Sequence, residues 1–129
     1  MTGRIFSIAV MALVGATTAA CGDSGSDGVG GGGTTGPEVD CASVTVKGYS
    51  ELTIWNTCTE CHASTRVGSQ ARQSAPEGSD YDTYELAKQT AEEAQDQVFK
   101  GLMPPSGFSQ PTQSEKDDLY AWVQCGQPE

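Results

Sequence analysis

Cys58-Thr59-Glu60-Cys61-His62 is the stretch on which the reading of this 129-residue chain turns. Two thiols three residues apart fall on one face of a helical turn, and an imidazole follows directly. Four chemistries use such a grouping. A thioredoxin-like dithiol needs a βαβ setting, which the pattern of this chain does not offer. A zinc site wants four ligands, usually as two separated pairs. Here His62 is the one histidine, and Cys41 and Cys125 have no paired spacing. A structural disulfide between Cys58 and Cys61 leaves His62 without a part to play. The remaining reading is covalent attachment of a c-type haem, with Cys58 and Cys61 as thioethers and His62 turned to the iron.

That reading asks for a sixth ligand. No second histidine exists, and of three methionines Met1 and Met11 lie in the N-terminal leader. Met103 remains, stiffened by Pro104 and Pro105, which lower the entropy lost on fixing the loop. His/Met is a known axial pair, so Met103 is the expected ligand. The alternative is a methionine that only fills the core, with lysine or water at the iron.

Residues 1–20 read as a signal peptide: Arg4, then an apolar run from Ile5 to Val14, then small residues up to Cys21. Such a run is too short to cross a bilayer core of about 30 Å. Thr18-Ala19-Ala20-Cys21 is similar to a bacterial lipobox, which makes Cys21 the expected lipidation site. Cleavage after Ala20 with a free Cys21 is the alternative. Residues 21–39 read as a lipid-anchored linker, with glycine at eight of the fifteen positions 22–36. As a random coil its eighteen residues after Cys21 span about 23 Å. The protein is then expected on the periplasmic side of a bacterial membrane. The net charge is −10, and removal of Arg4 with the leader makes it −11. Such acidity argues against nucleic acid as a partner.

Residues 40–129 remain for one small domain, and a core of this size gains from a cross-link or a bound group. Five cysteines is an odd number. With Cys58 and Cys61 given to haem and Cys21 to lipid, Cys41 and Cys125 are left in an oxidising compartment. A bridge between them is expected, two free thiols being the alternative. The rest reads as all-α, with about three to five short helices. Ser50 is the expected cap of a first helix from Glu51, carrying Leu52, Ile54, Trp55 and Cys58 on one face. Asp82 with Glu85 suggests a capping box. Tyr84, Ala87, Ala91, Ala94 and Val98 then form one stripe, with a kink near Thr90 and an end at Lys100-Gly101. Thr112 with Glu115 caps a last helix that buries Leu119, Trp122 and Val123 and closes at Gly126. Residues 63–80 form a long polar loop, of the kind that is usually functional in a small domain.

Together the Cys58–His62 run, Arg72 to Tyr84, Gly101-Leu102-Met103-Pro104-Pro105 and Leu119-Tyr120-x-Trp122-x-x-Cys125-Gly126 resemble a class I monohaem c-type cytochrome. The chain is similar in particular to cytochrome c lipoproteins of myxobacteria. The resemblance covers residues 41–126. It implies a cytochrome c-like domain around one haem c and its iron, with the first and last helices crossing near the haem edge. It implies that a proline carbonyl, at Pro76, accepts the His62 Nδ1–H. It implies that Arg72 reaches a haem propionate, the alternative being a solvated loop charge. Tyr81 and Tyr84 would line the pocket or sit in the core. The lysine-rich docking face of mitochondrial-type cytochromes is missing.

The function expected is that of a monomeric electron carrier and not an enzyme. The carboxylates Glu92, Glu93 and Asp96 read as a solvated helix face. Its partners would be redox proteins with a basic docking patch. The alternatives are a five-coordinate haem that binds or reduces a small ligand such as peroxide, and a haem-free disulfide-stapled lipoprotein.

Overall fold

A computed structural model describes residues 36–129. The expected leader at 1–20, lipidation at Cys21 and most of the 21–39 linker lie outside the described residues. Among the described residues the fold is all-α. A 3₁₀ turn at Tyr49–Glu51 is followed by α1 (Ile54–Cys58), α2 (Tyr84–Gln89), α3 (Ala91–Phe99) and α4 (Gln113–Gln124).

The last helix starts where its box predicts. Thr112 Oγ1 accepts from the Glu115 N–H, and the Glu115 carboxylate accepts from the Thr112 N–H at 2.8 Å. Two donors that the first helical turn leaves open are thereby satisfied. The same carboxylate accepts from Thr53 Oγ1 at 2.9 Å. Thr53 is the residue that precedes α1, so Glu115 ties the starts of α1 and α4 together. α1 is only five residues long, far below the length at which a helix stands alone. Its stability comes from burying Ile54 and Trp55 against α4, where Trp55 meets Trp122 edge-on at 5.5 Å.

The first helix does not start at Ser50-Glu51. Those residues close a 3₁₀ turn, in which the Glu51 side chain accepts from the Gly48 N–H at 2.9 Å. Leu52 then takes an extended conformation (ψ 103°) that carries its side chain into the core, and this interrupts the helical run. The middle segment breaks at Thr90 into α2 and α3. Its cap is Thr83, whose hydroxyl accepts from the Leu86 N–H, and not Asp82, whose carboxylate is held by Ser64. The small residues Ala87, Ala91 and Ala94 are buried with Val98. Ala91 and Ala94, on α3, let that helix lie close against α4, with Phe99 edge-on to Tyr120 at 6.4 Å.

Cys41 and Cys125 are joined by a disulfide, with Cα atoms 5.5 Å apart. Beside it the Val39 N–H donates to Gln124 Oε1, and Gln124 Nε2 donates to the Pro37 carbonyl. The chain's last residues fold back on the core. The Pro128 carbonyl accepts from Trp122 Nε1 at 2.7 Å and from the Tyr49 N–H at 3.0 Å.

Candidate functional site

α1 ends at Cys58, and the chain keeps a helical turn through Cys61. The Cys61 N–H and the His62 N–H both donate to the Cys58 carbonyl. Both thiols therefore point to one side, as the three-residue spacing dictates. Both are free. Burial pushes the Cys58 thiol up to about 12, so it is protonated at neutral pH. Thiolate-based redox exchange needs the opposite shift.

His62 is held from two sides. Its Nδ1 lies 2.7 Å from the Ser79 carbonyl oxygen. A carbonyl can only accept, so Nδ1 carries a proton and Nε2 is the nitrogen left for a ligand. The His62 carbonyl in turn accepts from the Tyr81 N–H at 2.9 Å. The imidazole leans on the Tyr81 ring, centroids 5.2 Å apart, and Tyr81 stacks on Trp55 at 5.4 Å. Burial holds the Tyr81 hydroxyl protonated, its pKa raised to about 12.

Met103 arrives from the end of α3. Gly101, at φ +68°, takes the left-handed conformation that stops the helix. The Gly101 N–H donates to the Val98 carbonyl, and the Leu102 N–H reaches the Gln97 carbonyl at 2.9 Å. The Met103 N–H reaches the same Gln97 carbonyl at 3.2 Å. The helix end thus fixes where the methionine backbone leaves, and the Met103–Pro104 peptide that follows is cis.

Cys58, Cys61, His62 and Met103 all line one cavity of about 390 Å³, a size suited to a cofactor. Ile54, Ala94, Val98, Phe108 and Pro111 supply apolar walls. Two thiols, an imidazole with a free Nε2 and a thioether on an apolar cavity form a donor set able to hold a haem. Among the described residues no cluster of three or more His, Cys, Asp or Glu could hold a bare metal ion.

One site expectation is corrected, and one alternative falls away. The acceptor for His62 is Ser79, three residues beyond Pro76. The Pro76 carbonyl accepts from Arg72 Nη2 at 2.6 Å, and Pro76 itself lines the cavity wall. Arg72 is neither among the cavity-lining residues nor a solvated charge. It is 2% exposed and pairs with Asp80 at 2.7 Å. Of the two tyrosines, Tyr81 lines the cavity and Tyr84 does not. Glu93 keeps its solvent-exposed position but also borders the cavity. Ser79 and Asp80 carry no sequence signal, because a backbone acceptor and a loop ion pair leave no periodicity.

Compared with protein-family models, curated proteins and solved structures, the chain gives no match.

Proposed function

We propose that this chain is an exported, lipid-tethered electron carrier with one covalent haem c. Cys58 and Cys61 would form the thioethers, and His62 and Met103 would be the axial ligands. The observation that carries this reading is that four residues from two stretches, 58–62 and 103, line a single apolar cavity. When bound, the haem supplies a one-electron couple; the protein sets its potential and its access.

The chain's own groups have definite parts. The Ser79 carbonyl fixes the tautomer and plane of His62 and raises its basicity as a ligand. Met103 offers a soft, neutral sulfur from a loop anchored to α3. The apolar walls exclude water, and together with a thioether ligand this favours the reduced state. With both axial positions filled, no substrate needs to bind and no general base is required. The surface, at −10 for the whole chain, suits a partner with a basic docking patch, and docking would weaken as salt rises. Cys21 would carry the lipid that holds the protein to the periplasmic side of a bacterial membrane, and the domain would act as a monomer without nucleic acid.

The test is a visible spectrum, oxidised and reduced, on protein expressed with c-type maturation machinery, beside Met103→Ala. Sharp low-spin bands, with a far-red sulfur-to-iron band that Met103→Ala abolishes, are expected. A high-spin spectrum indifferent to the substitution would remove Met103 as ligand and favour small-ligand chemistry at an open iron. A colourless protein would leave a disulfide-stapled lipoprotein.

A further inference from the structure

The Arg72 guanidinium touches both flanks of His62. Nη1 donates to the carbonyl of Ala63, the next residue, at 3.1 Å, and to that of Arg66 at 3.3 Å. Nη2 donates to the Pro76 carbonyl and lies 3.4 Å from the Ser79 carbonyl. Nε donates to the Ala75 carbonyl at 3.2 Å. The Ser79 oxygen is the one that holds His62 Nδ1. Asp80 closes the arrangement: its Oδ1 meets Nη2 as an ion pair and takes no hydrogen bond besides. A buried charge of this kind is costly unless paired.

The geometry points to Arg72 as a positioning residue that sets the electron affinity of the site through His62. This rests on the haem reading above. Two of its effects on the potential act with one sign, and a third is geometric. The guanidinium draws density from the Ser79 carbonyl, which weakens that oxygen as an acceptor and keeps the imidazole from imidazolate character. It places a fixed positive charge next to the ligand loop, where screening is weak. Its fork also fixes the register of residues 63 and 79, between which His62 is suspended. The first two effects favour the reduced state, and Asp80 offsets part of the charge.

The experiment uses the full chain with Arg72→Gln, Arg72→Lys and Asp80→Asn. Two readouts are taken: the reduction potential of the haem-loaded protein, and the exchange rate of the His62 Nδ1 proton by NMR in the haem-free protein. Arg72→Gln is expected to shift the ferrous-to-ferric ratio at fixed potential roughly tenfold toward ferric, 59 mV for one electron. Arg72→Lys keeps the charge but not the fork; it is expected to hold the potential near the parent while the Nδ1 proton exchanges faster. Asp80→Asn is expected to raise the potential, and it keeps the test decisive if Arg72→Gln does not fold. An unchanged potential in Arg72→Gln, or a fall in Asp80→Asn, would overturn the inference. If the parent takes up no haem, the reading above fails; faster Nδ1 exchange in Arg72→Gln would still uphold the positioning role, and unchanged exchange would sink it.

Discussion

Replacing both Cys41 and Cys125 by serine removes a cross-link between positions 84 residues apart. Cys41 is exposed and Cys125 half-buried, so serine fits both positions without leaving a void. The neighbouring ties remain: Gln124 to Val39 and Pro37, and Lys47 to Asp118 at 2.7 Å. The folded state should therefore keep its shape, and the loss should arise in the unfolded chain. Chain-entropy arithmetic for that separation gives about 15 cal/mol/K, or about 4.6 kcal/mol at 25 °C. Unfolding entropy of about 2.1 cal/mol/K per residue converts this to a fall in Tm of roughly 20 °C for a domain of this size. Urea denaturation followed by circular dichroism separates the causes. A freer unfolded chain exposes more surface, so the variant should show a lower midpoint together with a steeper m-value. A loss below about 1 kcal/mol would refute the reasoning, as would a large loss at unchanged m, which would place the effect in the native state.

Leu119 is fully buried between α4 and the core, and Leu119→Ala should cost roughly 3 kcal/mol in urea denaturation. Deleting residues 127–129 removes the acceptors of Trp122 Nε1, the Tyr49 N–H and the Tyr84 hydroxyl. The Gln127 N–H to Trp122 carbonyl bond goes with them, so at about 1 kcal/mol for each lost bond the domain should lose about 4 kcal/mol in the same assay. Hydrogen bonds from the Thr112 N–H, the Thr112 hydroxyl and the Thr53 hydroxyl hold Glu115 below the usual glutamate pKa. A lowered folded pKa contributes stability that is present above the unfolded value of about 4.3 and is lost as pH falls through the folded one. Glu115→Gln should therefore flatten the acid limb of a stability-against-pH curve; an unchanged limb would count against this account.

What could be read in the sequence was what obeys a period or a fixed offset. The Thr112–Glu115 box, the alanine stripe with its break at Thr90 and the glycine stops at 101 and 126 all stand where their spacing put them. So do Cys58, Cys61 and His62, whose shared face follows from helical geometry alone. The first helix was misplaced because Ser50-Glu51 is a sound cap signal in isolation. Burial of Leu52 overrides it, and the extended backbone this demands moves the helix start to Ile54. The polar loop was opaque for a different reason. Its order comes from one arginine reaching five backbone carbonyls, and a carbonyl is the same at every residue. Pro76 and Ser79 both offer a carbonyl to Arg72, and it is the Ser79 oxygen that also lies within reach of His62 Nδ1.

The disulfide also settles how tension would travel. A pull arriving at residue 36 meets the Gln95 side chain packed against Gly36, then Gln124, and is taken up covalently at the Cys41–Cys125 bond. It enters the molecule at the C-terminal end of α4. The cavity wall at Pro111 precedes the other end of that twelve-residue helix, about 18 Å away. The covalent link bypasses residues 42–124, so the thiols and the imidazole lie off the shortest covalent path. If the proposed tether pulls on the domain, the parts that must keep their spacing are off the direct line of force.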